Sequence, residues 1–218
     1  ASATLSMAAK ARELKNQGID IIGLSLGEPD FNTPEFIKDA AIQAVNDNYN
    51  SYSPVDGYAD LKAAICEKFK RDNGLDYQPS QVVVSTGAKQ SIANLCMVLL
   101  DPGDEVLLPA PYWVSYSAIA TLAEAKSTII PSSIDSDFKI TPEQLEAAIT
   151  PKTKLVMFNS PNNPSGTIYT EKEYCALGEV LKKYPDIYIL SDEIYEHINY
   201  GTPHFSIAAI EALYDRTI

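Results

Sequence analysis

Four short apolar runs in this sequence each end in residues able to bind or to react. Residues 82–84 lead into Ser85-Thr86-Gly87-Ala88-Lys89-Gln90, and 105–108 into Pro109-Ala110-Pro111-Tyr112-Trp113. Residues 154–158 lead into Asn159-Ser160-Pro161-Asn162-Asn163-Pro164-Ser165-Gly166, and 187–190 into Ser191-Asp192-Glu193-Ile194-Tyr195. Gly87-Ala88-Lys89 at a helix start offers backbone N–H groups and a positive dipole end, which suits a phosphate. The same residues also suit an ordinary strand-to-helix turn. Trp113, after a proline-rich lead-in, presents a flat ring from a loop or serves as a core aromatic. Asn163 before Pro164 is a polar ligand or a turn residue. Asp192 is harder to treat as neutral, because a carboxylate ending an apolar strand needs a charged or hydrogen-bonding partner.

The elements that must carry these residues follow from periodicity. Residues 1–18 form a helix stopped by Gly18, and 21–27 are extended. Thr33-Pro34-Glu35 supplies N-cap, N1 and N2 of a helix whose apolar face is Ile37, Ala41, Ala44 and Val45. Another helix follows Gly57, with Leu61, Ala64, Ile65 and Phe69 on one face. Short strands are expected at 82–84 (buried), 105–108, 127–130, 154–158 and 187–190, with helices at 87–100 and 113–122. Thr141 with Gln144, and Thr170 with Glu173, open two more helices as capping boxes. Strands alternating with helices imply a parallel sheet covered on both faces, with ligands at the carboxyl ends of the strands.

Composition bounds the function. The chain has 218 residues, 17 Lys plus Arg against 29 Asp plus Glu, and a net charge of −12. Hydrophobic residues at 45% argue against disorder. The acidity argues against nucleic-acid and anionic-membrane partners, and no apolar run is long enough to span a bilayer. The first 18 residues mix Lys and Arg into apolar positions, unlike a signal peptide. Cys66, Cys96 and Cys175 each sit in a helical apolar pattern and are expected to be buried free thiols. The two histidines, His197 and His204, show no ligand spacing, so no metal is expected.

Taken together, the strand ends resemble the fold-type I pyridoxal phosphate aminotransferases (class I/II), and within them the bacterial aspartate aminotransferase subgroup. The motifs are Leu24-Ser25-Leu26-Gly27-Glu28-Pro29-Asp30-Phe31, Tyr52-Ser53-Pro54 with Gly57-Tyr58, and Gly87-Ala88-Lys89-Gln90. They continue with Asp101-Pro102-Gly103-Asp104-Glu105-Val106, Pro111-Tyr112-Trp113, and the runs at 159–166 and 191–195. The resemblance implies a three-layer αβα sandwich with a mostly parallel sheet, as an incomplete cofactor-binding large domain over 49–218. Residues 1–48 would be an N-terminal arm and part of a small domain. It implies that Asp192 pairs with the pyridinium nitrogen of pyridoxal 5'-phosphate, and that Asn163 and Tyr195 hydrogen-bond the ring's phenolic oxygen. Trp113 would stack on the ring, and Gly87, Ala88 and Lys89 would cradle the phosphate through backbone N–H groups. No catalytic role falls to the Lys89 side chain, which also suits a solvated surface lysine. Gly27, with Trp113 and Asn163, would meet the substrate, and Tyr52 would reach the phosphate of a partner subunit's cofactor. The implied protein is a cytoplasmic homodimer acting on a small amino acid (aspartate by default) and a 2-oxo acid.

The resemblance also implies what lies outside these residues. The family's Schiff-base lysine follows in a Ser-Lys motif on a strand that should begin at Thr217-Ile218, and no Ser-Lys dipeptide occurs here. The chain therefore reads as the N-terminal half, inactive alone, with the family's last two strands missing between 82–84 and 187–190. Two other readings stay open: a non-catalytic assembly module, and a β-lyase or decarboxylase using the same cofactor.

Overall fold

The computed structural model describes residues 3–23, 27, 31–198 and 200–218, in two compact units, Ala1–Pro54 and Val55–Ile218. The first unit carries α1 (Ala3–Asn16) and α2 (Glu35–Asn46). Gly18 ends α1 as expected, at φ +82°, a conformation open to glycine at no steric cost. The cap of α2 differs. Pro34, not Thr33, holds the N-cap position, at ψ 143° and with no side-chain hydrogen bond. That extended ψ keeps Pro34 out of the helix, so the capping frame moves one residue on. Nothing on α2 is buried. The expected extended stretch at 21–27 shows no regular structure at 21–23 and 27. Its Leu24-Ser25-Leu26, like the following Glu28-Pro29-Asp30, lies outside the described residues.

The second unit is the α/β body. It contains α3 (Ala59–Lys68), α4 (Ala88–Leu99), β1 (Glu105–Pro109), α5 (Ser115–Leu122) and β2 (Lys126–Ile130). After these come α6 (Pro142–Ala148), β3 (Thr153–Asn159), α7 (Glu171–Leu181) and β4 (Tyr188–Asp192). The four strands are parallel, in the order β2-β1-β3-β4. The inner strands alternate between two cores. Leu107, Val156, Phe158 and Ile189 pack with Leu145 of α6 and with Tyr174, Leu177 and Leu181 of α7. Val106, Leu108, Leu155, Met157 and Leu190 pack with Ile92 and Cys96 of α4 and with Tyr116, Ile119 and Ala120 of α5. Both faces are thus covered, which is why the inner strands read as continuous apolar runs. Truncating any fully buried leucine here would cost about 2–5 kcal/mol.

Both expected capping boxes form, on Thr141 and Thr170. The expected strand at 82–84 does not. Its backbone is extended at Val82, but Val83 is 67% exposed. Among the described residues, its one long-range backbone bond is from the Val84 N–H to the Asp56 carbonyl, 3.1 Å. An extended segment becomes a strand only beside another strand, and none of the four named strands pairs with 82–84. Gly57 packs directly over Val84: at φ +99°, a Cβ there would sit 2.6 Å from Val84 Cγ2. Along the outer edge of β4, Thr217 forms an isolated parallel bridge to Ile189, and Ile218 exchanges backbone bonds with Ile189 and Ser191. The thiols also differ from expectation. Cys96 is buried, and burial pushes its pKa to about 11. Cys66 is half-buried and Cys175 exposed, all three free. On α7 the inward stripe runs through Tyr174, Leu177 and Leu181, so Cys175, one step from Tyr174, turns outward.

Arg216 closes the C-terminal end of α7. Its guanidinium donates to the carbonyls of Leu181 (2.8 Å), Tyr184 (2.9 Å) and Ile187 (2.7 Å), the turn that leads from α7 into β4. A cation suits the negative end of a helix, and the planar fork reaches three acceptors that a lysine could not. Arg216→Ala is expected to lower the stability of the full-length protein by about 2 kcal/mol or more, read by denaturant unfolding. Arg216→Lys should recover only part of that loss.

Candidate active site at the strand ends

Parallel strands of matched register deliver their carboxyl ends to one edge of the sheet. Here Asn159, the last residue of β3, stands directly opposite Asp192, the last of β4. The Asn159 side chain joins them: its Nδ2 donates to the Asp192 carbonyl (2.8 Å), and its Oδ1 accepts from the Asn163 N–H (2.6 Å). Asn163 Nδ2 in turn donates to the Tyr195 hydroxyl (3.3 Å). Asn162 ties the same loop to the one after β1, donating from Nδ2 to the Pro111 carbonyl (3.2 Å). The peptide bonds before Pro111, Pro161 and Pro164 are cis.

Tyr116 reaches Asp192 from the helical layer. Its hydroxyl donates to Asp192 Oδ2 at 2.6 Å, while Oδ1 accepts from the Ile194 N–H at 3.3 Å. Burial, then the negative charge of Asp192, hold the Tyr116 phenol well above its ordinary pKa, so it remains a donor. Tyr116 and Trp113 also meet nearly perpendicular, ring centroids 5.6 Å apart. The exposed Lys89 lays its ammonium 4.8 Å from the Trp113 ring centroid, a cation–π contact. Beside it α4 opens at Gly87 (φ +85°, ψ 158°) without a side-chain cap, in a region of φ/ψ that only glycine adopts freely. The Gln90 N–H returns to the Gly87 carbonyl (3.0 Å), so the first-turn amides of Ala88 and Lys89 have no acceptor within the helix.

One continuous run of contacts therefore links Lys89, Trp113, Tyr116, Asp192, Asn159, Asn163 and Tyr195. It includes every site residue expected in the α/β body except the amide positions Gly87 and Ala88, which adjoin Lys89. Gly27 and Tyr52 belong to the first unit, and both are exposed. Tyr116 and Asn159 carry no role in the sequence reading. For Tyr116 the one local signal is its place three residues after Trp113, which puts the two rings on one side of a helical turn. As for metals, Glu193, Glu196 and His204 do bring ligand-type atoms within 4.8 Å of one another. Glu196 there is already ion-paired with Lys68.

The description "Aminotransferase class I and II" matches residues 19–217. An aspartate/prephenate aminotransferase of Nitrosomonas europaea is 54% identical over 197 residues, covering 90% of this chain and 50% of that protein. An aspartate aminotransferase of Bacillus subtilis is 51% identical over 219 residues, covering 100% and 56%. Among solved structures, the aspartate aminotransferase from Rhizobium meliloti superposes with a TM-score of 0.95 at 46% identity, covering 100% of this chain and 55% of its own. The Thermus thermophilus aspartate aminotransferase with maleate gives 0.95 at 41% identity, covering 100% and 56%. The chain spans about half the length of the curated relatives it matches.

The Tyr116–Asp192 contact is testable without any ligand. Tyr116→Phe keeps the ring and removes one donor from a carboxylate. The full-length protein should lose about 1.5–3 kcal/mol in denaturant unfolding, the range for hydrogen bonds to charged groups. An unchanged midpoint would mean that water or another donor replaces the hydroxyl at no cost.

Proposed function

The chain belongs to the class I and II aminotransferases, and from that premise we propose that the full-length protein moves an amino group between an aspartate-like amino acid and a 2-oxo acid, using pyridoxal 5'-phosphate. The observation that carries this reading is the state of Asp192. Its carboxylate is held by two neutral donors, Tyr116 and the Ile194 N–H. Among the described residues no cation lies within ion-pairing distance of it. A held but un-neutralised anion at a strand end is a fit for a protonated pyridine nitrogen. The rest of the donor set fits too: a phenol and an amide side by side, a flat indole, and first-turn amides at a glycine-opened helix.

Bound there, the cofactor supplies an electron sink for the electron pair left at the substrate α-carbon. Asp192 would hold the proton on the ring nitrogen, because a fixed negative charge favours the charged form of a nearby base. Tyr195 and Asn163 would bind the phenolic oxygen, sharing it as they share the present 3.3 Å hydrogen bond. Trp113 would lie on the ring face and limit its tilt. Gly87, Ala88 and Lys89 would take the phosphate through backbone N–H groups. Gly27, Trp113 and Asn163 would bound the substrate. The Lys89 ammonium on the Trp113 ring favours a place at the rim of the site over a role in proton transfer.

The same reading assigns residues 1–48 to an arm and part of a small domain. It makes the protein a cytoplasmic homodimer in which the fully exposed Tyr52 reaches the partner's cofactor phosphate. No helix among the described residues is long and apolar enough to cross a membrane.

The test is an amino-transfer assay of the full-length protein with aspartate and 2-oxoglutarate, with and without added pyridoxal 5'-phosphate. Asp192→Ala should cut turnover by about 10³-fold or more, since it removes the charge that sustains the protonated ring. A loss below about tenfold would assign that charge to another residue. Absence of cofactor-dependent turnover in the unmutated protein would overturn the reading itself.

A further inference from the structure

Asp192 and Glu193 are adjacent in sequence and serve opposite sides of the chain. Asp192 faces Tyr116, whereas Glu193 accepts from Ser191 Oγ (2.8 Å) and Ser206 Oγ (2.6 Å) on one oxygen, and meets His204 Nε2 (2.9 Å) with the other. These partners are tied into the body of the fold. Ser191 belongs to β4. Ser206 is buried and caps the short helix Ile207–Ala209, whose Ile207 lies fully inside the core. The His204 side chain is 9% exposed. By contrast, among the described residues the turn after Glu193 makes only local backbone bonds, from the Glu196 N–H to the Glu193 carbonyl (3.0 Å) and from the Ile198 N–H to the Tyr195 carbonyl (2.8 Å). Ile194 and Ile198 are more than half exposed. Side chains hold this turn at several points: Asp192 accepts from the Ile194 N–H, Asn163 donates to Tyr195, and two inward carboxylates add to them, Glu193 and Glu196, the latter accepting from Asn73 Nδ2 (3.0 Å) and pairing with Lys68.

We propose that Glu193 is a positioning residue for the Tyr195 hydroxyl: by fastening the turn after β4 to Ser191, His204 and Ser206, it keeps that phenol beside Asn163 without touching cofactor or substrate itself. A phenol on a loosely tethered turn would spend much of its time away from the oxygen it must bind, and supporting contacts of this kind decide whether a site is held to within a fraction of an ångström. A carboxylate suits the task because one side chain accepts from three donors on two separate segments. This rests on the aminotransferase reading above for its catalytic consequence, though not for the anchoring.

The experiment has two arms on the full-length protein. In the first, amide hydrogen exchange is measured without cofactor. Glu193→Ala should speed exchange in the turn at residues 195–198 by about fivefold or more relative to β1 and β3, and Glu193→Gln, which keeps an acceptor for the serines, should not. Unchanged exchange in the alanine variant overturns the proposal whatever the protein catalyses. The second arm is a double-mutant cycle on turnover. Glu193→Ala should cost about tenfold in kcat alone but no more than about twofold in the Tyr195→Phe background, because the group it positions is already gone. Equal losses in both backgrounds mean a general structural role and overturn the proposal. If Glu193→Ala does not fold, Ser206→Ala enters the same cycle with the same criteria. Absence of cofactor-dependent turnover in the unmutated protein tells against the function reading alone, and the exchange arm still decides whether Glu193 holds Tyr195.

Discussion

The register that sets Asn159 of β3 opposite Asp192 of β4 governs both the core and the site. Side chains on a strand alternate with a period of two, so a slip of one residue would turn every inward group to the other face. In the observed register, Val156 and Ile189 share one core while Leu155, Met157 and Leu190 share the other. The same register ends both strands at one level, where an asparagine and a carboxylate emerge together from apolar surroundings. Polar groups at that level cannot turn back into the sheet without leaving a charge unpaired. They are held at the edge by each other, by Tyr116, and by the turns that follow.

Much of the α/β body is legible in local sequence because its signals are local. The capping boxes at Thr141 and Thr170 need only four consecutive residues. The inner strands announce themselves as unbroken apolar runs because both of their faces are covered. Residues 82–84 look the same by that criterion, yet pairing is a property of neighbours and cannot be read from three valines. The α2 cap turns on the ψ angle of Pro34, which the Thr-Pro-Glu string leaves undetermined.

The site divides in the same way. Asp192, Asn163, Tyr195 and Trp113 are legible because they follow strands, where parallel sheets put their chemistry. Tyr116 is not, because on α5 it takes its place in the apolar stripe and its partner lies 76 residues away. Glu193 is hidden for the opposite reason. It sits inside a motif whose neighbours draw attention, and only the positions of Ser206 and His204, 13 and 11 residues on, reveal which way it faces.

The Arg216 clamp has a bearing on the order of events during synthesis. The guanidinium that satisfies the Leu181 carbonyl lies 35 residues downstream of it. At ordinary elongation rates that interval is about 2–7 s. Through that time the last turn of α7 has emerged or is emerging with its carbonyls open to water, while its apolar stripe already has β1 and β3 to pack against. The nascent helix can therefore dock along its length before its end is secured. The final turn is a late-setting element, completed only when the chain has passed β4 and come back to it.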